Sequence, residues 1–201
     1  MNKLLPASAG GLCAAVKNFS IFEQALVLAQ QTQLEDLGRV ANVSRRDFDE
    51  RETFLCEAQA PAIEYLCLLI ENALLLRPHR GGRVYAGFET LSRMQPVMAR
   101  YLRIADLSER LYIFGEPDWQ PPRHPNLKLI TFGDDYKLAR ECFIIADSPT
   151  LRAALVSLDE DGLDVPVPEA RSFRAVKTSN PSIVAQLAAA AEGLIDSALA
   201  A

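Results

Sequence analysis

Between residues 17 and 38 the apolar positions Phe19, Phe22, Leu26, Leu28 and Leu34 recur among polar ones, a spacing that predicts an amphipathic helix opening near Ser20. A second helical region is expected from the charged run SRRDFDERETF. There Arg46 stands four residues before Glu50 and Asp47 four before Arg51, which brings opposite charges together on one solvated helix face. Pro61 then opens a strongly apolar helix that runs to Leu76 and stops at Arg77-Pro78. Residues 17–77 therefore read as helical.

After residue 80 the period changes. RVYAGFE reads as a strand, LSRMQPVMARYLRIADLSE as a helix and LYIFGE as another strand, followed by LKLITFG, ECFIIAD, AALVSLDED and SFRAVKT. Gly, Pro and Asp clusters such as GDD, DSP and DVPVPEA punctuate them. In the middle helix Ser92 and Gln95 have the spacing of a capping box, Pro96 belongs in the first turn, and Met94, Val97, Met98, Tyr101, Leu102 and Ala105 form a core stripe. The last segment opens with Asn180 as cap and Pro181 at the first helical position. Its residues Val184, Leu187, Ala191, Leu194 and Ala198 make a heptad-like seam. The expected fold is α+β: a mixed sheet of about five to six strands with flanking helices, a helical N-terminal region and a C-terminal helix. One domain is expected over 17–201, comprising a helical part at 17–77, an α/β part at 83–178 and the terminal helix at 181–199, after a flexible stretch at 1–16.

With 49% hydrophobic residues the chain has material for a substantial core, and a net charge of −5 lacks the basic excess of a dedicated nucleic-acid binder. The opening MNKLLPASAGGLCAAVKN looks superficially like a secretory signal, but Pro6, two glycines and Leu12 before Cys13 break that pattern. YLCLLIENALLL is interrupted by Glu71 and Asn72 and is shorter than the roughly 20 apolar residues of a membrane span. A cytoplasmic protein with neither nucleic acid nor membrane as partner is the expectation. Cys13, Cys56, Cys67 and Cys142 are widely separated, and Cys67 and Cys142 lie in apolar runs as reduced core residues. No metal site is expected.

Dinucleotide, phosphate-loop and nucleophile-elbow motifs are absent. His79 and His124 lie in proline-flanked loops with no evident orienting acid, and the acidic run DEDGLD reads as a turn. Two arginine groups are candidates for holding an anion: Arg93, Arg100 and Arg103 on the middle helix, and Arg77, Arg80 and Arg83 in RPHRGGR. Each also reads as solvated surface. The stretch LYIFGEPDW poses a sharper alternative. Gly115 and Pro117 force a turn at a strand end, so Glu116, Asp118 and Trp119 either edge a site or, with Asp118 as cap and Trp119 over the core, simply finish the strand.

Taken together, RVYAGFETLSR, ERLYIFGEPDW and RSFRAVKTSNPSIV resemble the signature blocks of the DICT domain, a bacterial sensory domain named for its association with diguanylate cyclases and two-component systems. The resemblance is carried by Gly87-Phe88, Phe114-Gly115-Glu116-Pro117-Asp118, and Phe173 with Thr178, in that order, and spans approximately residues 20–190. It implies a non-enzymatic sensory or regulatory input domain with a light-response connection, and it supplies no catalytic residues, named ligand or cofactor. The expected ligand- or partner-binding residues are Tyr85, Phe88, Arg93, Glu116, Asp118 and Trp119. No cyclase, phosphodiesterase, kinase or DNA-binding block accompanies these, so the implied stand-alone domain calls for a signalling protein in trans, of histidine kinase, response regulator or diguanylate cyclase type. A homodimer is left open. The alternatives are a scaffold that assembles signalling complexes through the terminal helix, and an enzyme built from Glu116, Asp118, His124 and Arg93.

Overall fold

Alternation in the strand segments places Val84, Ala86, Ile113, Ile144 and Leu155 on one face of a sheet and Tyr85, Phe114, Phe143, Ile145 and Val156 on the other. Both faces are apolar, so both must be covered. The computed structural model describes residues 9–11, 14–76, 79–162 and 165–199. Its strands are β1 (Ala9–Gly11), β2 (Glu35–Arg39), β3 (Thr53–Gln59), β4 (His79–Thr90), β5 (Ser108–Glu116), β6 (Leu127–Thr131), β7 (Glu141–Asp147), β8 (Arg152–Asp159) and β9 (Ser172–Thr178). They form one sheet in the order β1-β6-β5-β4-β7-β8-β9-β3-β2. From β1 to β4 the neighbours are parallel, and from β4 through β7, β8 and β9 to β3 they are antiparallel. Helices α1 (Ile21–Gln30) and α5 (Pro181–Leu199) close one face. On the other lie α3 (Ala60–Leu76) and α4 (Met98–Leu107), with the short α2 (Arg45–Glu50) adding Phe48.

The class is α+β as expected, with nine strands among the described residues where five to six were expected. The strands read from the alternation are β4 to β9. β2 and β3 interrupt the segment that reads as helical: α1 ends at Gln30, and Leu34 precedes a strand. β3 is held by long-range pairing, its Thr53 opposite Thr178 and its Gln59 opposite Ser172 of β9. Local periodicity does not report such a partner. Within the stretch that reads as a flexible N-terminus, Ala9–Gly11 pairs in parallel with Leu129–Thr131.

α5 behaves as its sequence suggests. Asn180 Oδ1 accepts from the backbone N–H of Ser182 at 3.0 Å and of Ile183 at 3.2 Å. All five seam residues are buried against the sheet and α1, so the seam is spent inside the domain. α5 is also long and apolar enough to cross a membrane by length and composition, a property shared by core helices.

Two glycines permit close approaches. A Cβ on Gly87 would lie 2.2 Å from the Phe143 ring, and one on Gly115 would lie 2.8 Å from the Phe88 carbonyl oxygen and 2.9 Å from Leu91. The second contact brings the end of β5 against the start of the segment that leads into α4.

Candidate functional site

Where the parallel half of the sheet meets the antiparallel half, the end of β4 and the start of β7 lie beneath α3 and α4. Crevices at strand ends beside such a change of direction are common ligand sites in α/β sheets. Here a cavity of about 480 Å3 opens between the two helices, lined chiefly by apolar side chains including Ile63, Leu68, Phe88, Val97, Tyr101 and Phe173. Its size is that of a small-molecule pocket.

Five charged side chains, Glu64, Glu71, Glu89, Arg93 and Arg100, punctuate this apolar wall. Glu89, at the end of β4, is buried and receives Arg171 through both oxygens: Nη1 donates to Oε2 at 3.0 Å, and Nη2 donates to Oε1. The same Nη2 donates to Asp159 at the end of β8, so one buried guanidinium joins two buried carboxylates. Arg93 pairs with Glu89 from the open side at 3.1 Å. Glu71 of α3 is buried as well and accepts from Arg100 Nη1 of α4 at 2.5 Å. Burial, followed by the Glu71 charge, pushes the neighbouring Tyr101 hydroxyl well above its ordinary range. In the wall between α3 and β7, a hydrogen bond to Cys142 and burial hold the Cys67 thiol well above its usual range. Both thiols are free and half-buried, facing a cavity as well as the core. Cys13 lies outside the described residues.

The six residues expected from the sequence do not converge on one site. Phe88 and Arg93 line the cavity. Asp118 and Trp119 line a second, more polar depression under the loop 117–125. Asp118 Oδ1 accepts from the Ser92 backbone N–H at 2.8 Å, and its Oδ2 accepts from the Ser92 hydroxyl. Partial burial raises the Asp118 carboxyl, but these bonds outweigh it and hold the group below its ordinary value. Asp118 thus anchors the turn that carries Arg93. The capping box expected at Ser92 and Gln95 is replaced by this bond from another loop, and Pro96 sits in a 3-10 segment, Leu91–Val97, just before α4. Trp119 is half-buried against the core on the α3 and α4 side. Glu116 ends β5 in register with Thr90 and is half-buried. Tyr85 points to the opposite face, where its ring stacks on Tyr112 at 5.5 Å and its hydroxyl donates to Glu192 of α5 at 2.6 Å.

Of the arginine rows, Arg93 and Arg100 enter the cavity wall while Arg103 pairs with Asp106 in solvent. In RPHRGGR, Arg83 pairs with Glu192 at 2.7 Å, and Arg77 lies outside the described residues. His124 does have an acid beside it: Nε2 is 3.0 Å from Asp106 Oδ1, and Nδ1 accepts from the Asn126 N–H at 3.2 Å. That pattern closes a loop. Asp159, expected in a turn, is buried in the Arg171 network, and Asp161 accepts from the Ser172 N–H at 2.7 Å. Sequence reasoning passed over Glu71, Glu89, Asp159 and Arg171 as site residues. Glu71 did carry a signal, an acid inside the apolar run YLCLLIENALLL, while Arg171 carried none. Among the described residues no group of three or more His, Cys, Asp and Glu side chains is placed to hold a metal.

The chain thus folds as a mixed sheet covered on both faces by helices, with a cavity of small-molecule size at its change of strand direction. Residues 65–160 match the model of the DICT family, the sensory domain in diguanylate cyclases and two-component system. The match contains the first two blocks of the resemblance and most of the cavity wall; Phe173 and Thr178 lie beyond it. No curated protein matches the sequence. Among solved structures, polyphosphate kinase from Porphyromonas gingivalis aligns with a TM-score of 0.53 at 10% identity, over 77% of this chain and 29% of that one. NucT from Helicobacter pylori aligns with a TM-score of 0.48 at 12% identity, over 73% of this chain and 98% of that one. The likeness to the kinase is one of fold, and this chain spans less than a third of that protein's length.

Proposed function

We propose that this chain is a signal-input module whose sensory event is the binding of a small molecule in the cavity between α3 and α4, and that the occupied state is read by a signalling protein in trans. The match of residues 65–160 to a sensory-domain family supports a sensory role. The observation that carries the finer reading is the cavity itself, which lies largely inside the matched segment and combines an apolar wall with fixed charges. A ligand inserted there touches α3 and the Arg93 to Arg100 segment together, so binding draws two separate helices against one another. Their outer surfaces are the natural contact for a partner. The light-response connection enters through such a partner or through a bound pigment, because no attachment block for a chromophore is present in the sequence.

Native mass spectrometry of protein incubated with a low-molecular-mass cell extract tests this reading. Wild type should retain a small molecule. Leu68→Trp, which fills the cavity without altering an ion pair, should stay folded and lose it. Equal retention by the two proteins would place the ligand elsewhere.

A further inference from the structure

We propose that the cavity selects a small molecule with an apolar body and an anionic head, and that Arg93 and Arg100 read the head. This rests on the reading that the cavity is a ligand site and names the class of ligand. Both oxygens of Glu89 already receive Arg171, and Oε2 faces Arg93 as well. Glu71 receives Arg100. The buried acceptors are therefore engaged.

The donors are not exhausted. A guanidinium carries five N–H groups and no acceptor. Among the described residues the only acid within ion-pair distance of Arg93 is Glu89 and of Arg100 is Glu71, each reached through one terminal nitrogen. Their side chains remain 40% and 33% exposed, while their carboxylate partners are 2% and 6% exposed. Each arginine is thus neutralised and oriented from the protein side and presents spare N–H groups to the cavity. Planar guanidinium forks of this kind match carboxylate and phosphate oxygens. Glu64 at the mouth is the one further acid of the lining, and it is solvent-exposed. A cationic ligand would find the deep carboxylates occupied. A neutral apolar one would leave the spare donors unsatisfied once water is displaced.

Three probes with one apolar body test the assignment: naphthalene-2-acetate, 2-naphthaleneethanol and 2-(2-naphthyl)ethylamine, titrated by calorimetry into the full chain at neutral pH. The acid should bind at least about tenfold more tightly than the alcohol, a difference a charge-assisted hydrogen bond can supply, with the amine weakest. In Arg93→Gln and Arg100→Gln the acid-to-alcohol ratio should fall toward unity. Should either glutamine variant fail to fold, the corresponding Arg→Lys protein keeps the charge without the fork and should show an intermediate ratio. An alcohol or amine that binds as well as the acid overturns the anion assignment, as does a ratio unchanged in the arginine variants. Binding of those probes that disappears in Leu68→Trp would still leave the cavity as a ligand site. Failure of all three probes to bind overturns the proposal, and the extract experiment then decides the cavity reading separately.

Discussion

Arg171 bridges two acids buried in the core, Glu89 and Asp159. Its side chain is 1% exposed, as is Asp159, and Glu89 is 2% exposed. Breaking a buried ion pair by removing one partner typically costs about 3–5 kcal/mol, because the remaining charge keeps its desolvation penalty and loses its compensation. Arg171→Met should therefore destabilise the protein by about 3–5 kcal/mol in urea unfolding at neutral pH. A loss below about 1 kcal/mol, the scale of an exposed pair, would mean the network is wetter than its geometry indicates. At this scale the sequence was legible only where a residue conflicted with its surroundings. Glu71 stands out inside YLCLLIENALLL, whereas Arg171 and Glu89 flank strands, where charges are ordinary. Their importance comes from β4, β8 and β9 converging, which no local window contains.

At the scale of elements, the clearest dependence between distant segments is the start of α1. Ser20 caps the helix by accepting from the Glu23 N–H at 2.9 Å, and Glu141 of β7 accepts from the N–H groups of Ile21 at 2.9 Å and Phe22 at 3.1 Å and from the Ser20 hydroxyl. Burial pushes the Glu141 carboxyl up to about 7 against the pull of those bonds. Since the folded value lies above that of the unfolded chain, the folded state binds the extra proton between about pH 4.5 and 7. The contribution of Glu141 to stability is thus fully present below that window and lost as pH rises through it. Glu141→Gln cannot ionise, and its amide can bond Ser20 while its oxygen accepts from the two backbone groups. The stability of wild type relative to Glu141→Gln should decline from pH 4.5 to 7 in chemical unfolding; a flat or rising difference would contradict the raised value. The elements themselves were readable where they carried their own punctuation. Asn180-Pro181 marked the start of α5, and alternation marked β4 to β9. β2 and β3 were not readable, because TFLCEAQ follows a charged helix and takes its extended form from pairing with β9.

For the molecule as a whole, the sheet divides the candidate residues among three surfaces. Tyr85 lies with α5 on one face, Asp118 and Trp119 lie in the loop 117–125, and Phe88 and Arg93 line the cavity on the α3 and α4 side. The blocks that carry the family resemblance are thus adjacent in the fold without forming one site. The proposed ligand site is the cavity, and Asp118 fixes the turn before Arg93 through Ser92. Hydrogen exchange followed by mass spectrometry tests that assignment most directly. The full chain would be compared with and without the extract fraction that most raises its melting temperature. The expected result is slower exchange in α3 and in residues 87–101, with the loop 117–125 and α5 unchanged. Protection confined to the loop or to α5, with the cavity walls exchanging as before, would contradict it.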